Sequence, residues 1–424
     1  MAELTWEPPP PPPFPQYCNE QSCTPSQHSI IQRSPHSNNK TLPLFTDWAS
    51  CSTCHRLSIS WQDITNHQPL HFTLSLTTKH LTVMLHYPPS IMSIITRFIL
   101  FVVIALAMRT HTQDVQACTV GFYKKTCPKA EAIVRTVVSK AISRDRGLGA
   151  GLLRLHFHDC FVQGCDGSVL LDSTPSTKAE KDSAPNLSLR GFEVIDEAKL
   201  QLEASCPNVV SCADIVAFAA RDSVHLLGGP FWQVPAGRRD GMVSDASLAL
   251  SNLPAPFFNV KQLTHSFGLK GLTQDDMVTL SGAHTVGVAH CSSFQRRLYN
   301  FSSTSALDPT LDEELVEQLK QVCPPPRLDS RIGADPSVNL DLRTPSMFDN
   351  AYYYNIELGQ GLLQSDEALY SDPVTSKTIK SHAYSQQSWS NKFKLAMIKM
   401  SLIEVKTEDA GEIRANCHVI NSNY

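Results

Sequence analysis

The chain has 424 residues, 42% of them hydrophobic and 18% charged, which is enough apolar side chain for a sizeable core and excludes a wholly disordered chain. With 36 Lys plus Arg against 40 Asp plus Glu the formal charge is −4, so no broad cationic surface is available for nucleic acid or an anionic membrane. Function must be read from local sites.

Residues 1–91 open with six consecutive prolines, Pro8 to Pro13, and then scattered Ser, Thr and His, with no sustained helical or alternating period. This segment reads as a low-complexity leader and, because a signal-like stretch comes after it, as an over-extended start. Cys51-Ser-Thr-Cys54-His55 within it matches the pattern for covalent c-type haem, but no helical domain surrounds it. Residues 92–117 read as a secretory signal. Met92 is the start, Arg97 a weak positive region, Phe98 to Met108 the apolar run and Val115-Gln116-Ala117 the cleavage site, with Ala105-Leu106-Ala107 as the alternative. The apolar run is well short of the roughly 20 residues a spanning helix needs, so no membrane span is expected.

From Cys118 to Tyr424 helix signatures recur. Cys127-Pro128 opens a stretch with Ile133, Val134, Val137, Val138, Ala141 and Ile142 on one face. Ser211 and Asp214 form a capping-box pair before Ile215, Val216, Ala219 and Ala220, and Gly228-Gly229 stops that helix. Thr273 and Asp276 repeat the box. Asp308-Pro309 predicts a helix start whose stripe is Leu311, Leu315, Leu319 and Val322, and Trp389, Phe393, Met397 and Met400 make another stripe. Strand patterns are scarce, and the predicted class is mainly α. Eight cysteines in this body behind a secretory signal favour four disulfides, and spacing alone leaves about a hundred pairings open. Cys118 is left over.

The densest chemistry lies in Arg154-Leu-His156-Phe-His158-Asp159-Cys160. Arg154 and His158 are four residues apart and share a helix face, so a fixed cation sits beside a base. The guanidinium disfavours imidazolium and stabilises negative charge developing on a bound oxygen. Directly after, Asp159, Val162, Gly164, Asp166 and Ser168 offer carboxylates, a hydroxyl and carbonyls in one loop, the oxygen set a hard cation such as calcium prefers. His284 lies just beyond a capped helix, between Gly282 and Gly287, which are expected to permit close approach to a flat ligand. Asp341, Thr344, Met347 and Asp349 form a second oxygen-rich loop, and Asp366 is a carboxylate among apolar neighbours.

Five runs carry a resemblance: RLHFHDCFVQGC (Arg154 to Cys165), NVVSCADIVAFAARDSV (Asn208 to Val224), VPAGRRDG (Val234 to Gly241), LSGAHTVG (Leu280 to Gly287) and FDNAYY (Phe348 to Tyr353). Together, in this order, they resemble the secreted haem peroxidases of plants, class III, over Gly121 to Asn423. The resemblance implies the haem-peroxidase helical fold, with haem b between a distal and a proximal half, and reduction of hydrogen peroxide with one-electron oxidation of phenolic donors. It implies His284 as the axial ligand to haem iron with Asp366 accepting its other ring N–H, and His158 as proton shuttle beside Arg154. Asn186 holds the His158 tautomer, Glu180 ties that segment to the distal loop, and Pro254 lies at the donor mouth. It further implies one calcium on Asp159, Val162, Gly164, Asp166 and Ser168 and a second on Thr285, Asp341, Thr344, Met347 and Asp349. The implied disulfides are Cys127 with Cys206, Cys160 with Cys165, Cys212 with Cys417, and Cys291 with Cys323. A monomer in the apoplast is implied by the same resemblance.

Some features depart from that pattern. Ser401 and Lys406 stand where such sequences usually carry Gly and Leu, a change expected to touch only local packing, and Cys118 has no partner in the implied set. Asn186 and Asn300 both head glycosylation sequons, of which Asn300 is the expected acceptor because Asn186 is needed in the pocket. Two other functions compete. A zinc hydrolase using His156, His158 and Asp159 meets the difficulty that residues two apart on a helix diverge. A calcium-bound wall protein without haem leaves Arg154, His158, His284 and Asp366 unexplained.

Overall fold

The computed structural model describes residues 72–76, 79–83, 118–325 and 335–421. The signal-peptide region, the proline run and Cys51 to His55 lie outside the described residues. Within the leader, strands β1 (Phe72–Leu76) and β2 (Lys79–Val83) pair antiparallel, Phe72 opposite Val83 and Leu76 opposite Lys79. The sequence pattern assigned no alternation there. The period-2 signal in Phe-Thr-Leu-Ser-Leu is only five residues long, too short to stand out in a polar segment.

The chain divides into two compact units, Met1–Met92 and Ser93–Tyr424. The second is helical, and its strands are short: β3 (Thr119–Val120) pairs with β4 (Pro235–Ala236), and β5 (Val288–His290) with β6 (Ser337–Asn339). Its α-helices in chain order are α1 (Ala130–Arg144), α2 (Gly147–Phe161), α3 (Phe192–Ser205), α4 (Cys212–Leu226), α5 (Ala246–Asn252), α6 (Val260–Leu269) and α7 (Gln274–Ser281). They continue with α8 (Gln295–Tyr299), α9 (Glu313–Val322), α10 (Ala351–Glu357), α11 (Gln364–Ser371), α12 (Thr375–Tyr384) and α13 (Gln386–Met400).

Helix α4 is the hub, because both α1 and α2 pack along it. Residues Cys212 through Val224 are all buried, which leaves no polar face on this helix except where side chains are paired. Val134, Val138, Leu152, Leu155, Ile215 and Val216 fill the space between the three helices. A second focus forms where Phe348, Trp389 and Phe393 stack between α13 and the segment before α10, with centroids 4.9–5.5 Å apart. Leu311, Leu315, Val316 and Leu319 build a smaller cluster with Phe294 and Leu298.

Side-chain caps fix several helix starts. Thr273 and Asp276 make the full reciprocal box at α7. At α4 the box is half made: Ser211 accepts from Asp214 N–H, but the Asp214 carboxylate turns instead to Tyr123 Oη (2.7 Å) and Arg238 Nη1 (2.6 Å). Tertiary partners with a full charge outcompete a reach back to the cap. Helix α9 begins after Asp312, four residues later than Asp308-Pro309 suggested, because Asp308 is taken by Arg297 Nε at 2.7 Å and by Thr310. Val322 at its end is 46% exposed and leaves the predicted stripe, while Leu311, Leu315 and Leu319 are buried.

Disulfides join Cys127 to Cys206, Cys160 to Cys165, Cys212 to Cys417 and Cys291 to Cys323. Cys118 is buried, unpaired among the described residues, and burial pushes its thiol up to about 11. No helix among the described residues is long and apolar enough to cross a membrane.

Candidate active site

Helix α2 carries the distal groups. Its apolar face packs on α4, and the i, i+4 spacing turns Arg154 and His158 to the other side. His158 Nδ1 lies 2.6 Å from Asn186 Oδ1, and Asn186 Nδ2 donates to the Glu180 carbonyl at 2.8 Å. The amide oxygen only accepts, so the imidazole proton sits on Nδ1 and Nε2 is left as a free base. Burial, then the Arg154 charge, lower the His158 pKa to about 3 against the opposing Asn186 bond, so the ring stays neutral. Arg154 is held by Ser188 Oγ (2.9 Å) and the Pro185 carbonyl (2.8 Å), and burial lowers it to about 10.

The proximal group is His284, at the turn after α7. Its Nδ1 donates to Asp366 Oδ1 at 2.8 Å, and Asp366, on α11, is buried. Tyr352 Oη donates to the same oxygen at 2.9 Å. Burial lowers the imidazole pKa, but the Asp366 charge and hydrogen bond outweigh it and the net shift is upward. The Arg154 charge bears on His284 as well as on His158 and lowers both. His284 Nε2 has no hydrogen-bond partner among the described residues, and its side chain is 37% exposed. An imidazole with its other N–H tied to a carboxylate is the arrangement that fits a single protein ligand to haem iron.

One of the two flanking glycines serves a different purpose from the one expected. At Gly282 a Cβ would meet Tyr353 Oη at 2.6 Å and Trp389 Cζ2 at 2.7 Å, so this glycine makes room for the aromatic core and not for a flat ligand. Gly287 has φ of 95°, which a side chain would strain.

The first oxygen-rich loop is buried and incompletely satisfied. Both carboxylate oxygens of Asp159, both of Glu180 and the hydroxyl of Ser168 have no hydrogen-bond partner among the described residues, although each residue is at most 1% exposed. Burial and the neighbouring Asp166 raise the Asp159 pKa well above the carboxylate range, and burial with the Asp159 charge pushes Glu180 up to about 9. Unpartnered oxygens beside clustered carboxylates fit a bound divalent cation. Gly164 (φ 92°) and Val162 contribute backbone there, with Gly164 closely covered by the Glu404 carbonyl. In the second loop Thr285 Oγ1 and Thr344 Oγ1 each bridge Asp341 and Asp349 at 2.9–3.2 Å. Met347 lies on that loop with its side chain exposed, so the oxygen it can offer is that of its backbone.

Pro254 is half-buried before α6, and the Pro256 carbonyl accepts from Ser365 N at 2.9 Å, which brings this segment against the start of α11. Asn186 is buried and engaged, whereas Asn300 is exposed. The zinc reading meets a direct obstacle: His156 Nε2 bonds Ser401 Oγ at 3.0 Å and His158 Nδ1 bonds Asn186 Oδ1 at 2.6 Å.

Five functional contacts have no counterpart in the sequence pattern. Ser188 and Pro185 fix Arg154, and they sit in the same short run as Asn186, which was the available signal. Tyr352 bonds Asp366 from within FDNAYY. Lys406 and Ser401 were expected to affect packing alone. Instead Lys406 Nζ pairs with Asp166 Oδ2 at 2.5 Å, in the distal loop, and Ser401 bonds His156 on the distal helix.

Comparison with protein families matches residues 134–385 to the peroxidase family. The chain is 56% identical to Peroxidase 5 of Vitis vinifera over 304 residues, covering 72% of this chain and 91% of that relative. It is 49% identical to Peroxidase 64 of Arabidopsis thaliana over 304 residues (72% and 93%) and 45% identical to a peroxidase of Armoracia rusticana over 336 residues (78% and 94%). Two histidines with free Nε2 atoms, one beside an arginine and one tied to a carboxylate, on a helical frame with these relatives, make this chain a member of the peroxidase family, of the plant class III type. It is a hydrogen-peroxide-dependent oxidoreductase, and haem is the cofactor the family implies.

Proposed function

We propose that the chain reduces hydrogen peroxide and oxidises small phenolic donors by one-electron steps, as a secreted monomer that carries haem b on His284 and two calcium ions. The observation that carries this reading is the neutral His158, its Nδ1–H fixed by Asn186 and its Nε2 free beside Arg154.

Haem held on His284 would supply the redox chemistry, two electrons for the O–O bond that donors replace one at a time. The chain's own residues manage protons and charge. His158 Nε2 takes the proton from the near oxygen of hydrogen peroxide and delivers it to the far oxygen, which departs as water. Arg154 stabilises the negative charge that develops as the bond stretches. Asn186 prevents the ring from presenting its N–H to the substrate. Asp366 orients His284 and raises the basicity of its ligating nitrogen. Donors meet the site at its mouth, where Pro254 lies.

Asp159, in the last turn of α2, and Val162, Gly164, Asp166 and Ser168 just beyond it would hold one calcium, whose charge would neutralise the clustered carboxylates and so brace the helix that bears Arg154 and His158. Thr285, Asp341, Thr344, Met347 and Asp349 would hold a second ion, which would do the same for the turn bearing His284. Disulfides and the signal-like residues 92–117 support an oxidising, extracellular setting.

Rapid mixing of the haem-loaded protein with hydrogen peroxide tests the assignment. His158→Leu should keep haem and slow the peroxide reaction by about 10²- to 10⁴-fold, the usual worth of an acid–base group. His284→Ala should lose normal haem retention. A His158→Leu protein reacting at the wild-type rate sinks the reading.

A further inference from the structure

The distal loop contains a cation of the chain's own. Lys406 lies beyond α13 in a segment that covers the loop: Cys165 N donates to the Ile403 carbonyl at 3.0 Å, and the Lys406 carbonyl accepts from Arg239 N at 2.8 Å. This pinned backbone delivers Lys406 Nζ to Asp166 Oδ2 at 2.5 Å, with the Gln163 carbonyl 3.4 Å away. The Asp166 side chain is 1% exposed and that of Lys406 29%, so the pair stands at the floor of an open cleft lined also by Met242, Val243, Glu404 and Ala410. Asp166 Oδ1 meanwhile caps Ser168 N at 2.9 Å. Among the described residues Lys406 is the only lysine paired with a carboxylate of either oxygen-rich loop.

We propose that Lys406 is a built-in competitor for the distal cation: its ammonium occupies one side of Asp166, weakens calcium binding at this loop and holds the loop together when calcium is absent. The proposal rests on the proposed function, in which Asp159, Asp166 and Ser168 bind calcium. The sign is set by charge alone. A fixed positive charge on a shared carboxylate repels an incoming divalent ion at any dielectric, and only the magnitude depends on screening. Without the metal, the same ammonium partners a buried carboxylate that would otherwise be left facing Asp159. The cleft gives an ion a solvent path to Asp166 past the lysine, and the partly exposed ammonium can yield without movement of the pinned backbone. The loop thereby works as a calcium site of reduced affinity whose empty form stays ordered.

The test uses the secreted, haem-loaded protein with its disulfides intact. Calcium per chain is measured by metal analysis across a series of buffered free-calcium concentrations, and the portion lost in Asp159→Asn identifies the distal site. Lys406→Leu should shift the half-point of that portion to lower free calcium by at least about tenfold, as expected for removing a unit charge from beside a divalent ion. Lys406→Arg should stay near wild type. Stripped of calcium, Lys406→Leu should melt below stripped wild type, although both hold the same helices by circular dichroism. If Lys406→Leu does not fold, Lys406→Gln carries the same two readouts. An unchanged half-point with Asp159-dependent calcium present overturns the competition while leaving the calcium reading intact. Calcium content indifferent to Asp159→Asn in both proteins overturns the calcium reading and, with it, the competition.

Discussion

Which ring nitrogen of His158 carries the proton decides whether the residue can act at all, and one amide oxygen makes that choice. Asn186 is itself held by the Glu180 carbonyl, so the tautomer depends on a chain of two hydrogen bonds and not on His158's own surroundings. Asn186→Leu should therefore slow the peroxide reaction by about 10- to 100-fold, the usual effect of removing an orienting partner, with haem content unchanged. Equal rates in rapid mixing would show that the tautomer is fixed by something else. Arg154 and His158 are legible in the sequence because a four-residue spacing on a helix is a local fact. The partners that tune the site are not local: Lys406 lies 240 positions from Asp166, and Ser401 245 from His156. No spacing rule connects residues that only the folded chain brings together.

At the scale of helices and turns, local signals succeed where no charged tertiary partner competes. The Thr273–Asp276 box forms on both sides because Asp276's other contact, Lys399, joins it from outside. Asp214 and Asp308 show the opposite outcome, each drawn away by a buried arginine. The start of α9 separates two kinds of aspartate. Asp312 only caps, accepting from Leu315 N at 3.0 Å, and Asp312→Ala should cost about 1 kcal/mol. Asp308 pairs with Arg297, both 2% exposed in their side chains, and Asp308→Ala should cost about 3–5 kcal/mol by leaving a buried guanidinium without its carboxylate. Denaturant unfolding of the two variants checks the order, and equal losses would show that the cap and the ion pair are energetically alike. The β1–β2 hairpin marks where pattern reading runs out, since five alternating residues cannot be told from chance in a polar segment.

For the whole molecule, long-range ties come from the cysteines and buried arginines. Cys212 and Cys417 are 205 residues apart, so their bridge fastens the C-terminal segment to the head of α4, where Arg414 also donates to the Gly167 carbonyl. The pairing came from resemblance and not from spacing, because cysteine positions alone carry no connectivity. Among the described residues these ties join positions from Cys127 onward, and the site groups all lie between Arg154 and Lys406. A chain beginning at Met92 should therefore be secreted with full peroxide activity, as assayed in culture medium, and failure of that chain to fold would assign the leader a structural role.

Stability should also depend on pH through a histidine remote from the chemistry. His382, on α12, is fully buried between Tyr353 and Thr279, with Nε2 3.1 Å from Thr279 Oγ1 and Nδ1 without a partner among the described residues. Burial, reinforced by the Lys392 charge, lowers its pKa from 6.5 to about 4. Between those values the unfolded chain binds a proton that the folded chain refuses, so acid pulls the equilibrium toward unfolding. The contribution is intact above about pH 6.5, declines as the pH falls, and stops changing below about pH 4. His382→Gln keeps a polar group for Thr279 but cannot titrate, so its melting temperature should fall less steeply between pH 6.5 and 4 than that of the wild type. The comparison is best made at one fixed calcium concentration, so that the carboxylates of the two oxygen-rich loops are in the same state in both samples and the difference in slope isolates His382. Parallel slopes would mean that the buried ring finds a way to charge without opening the fold.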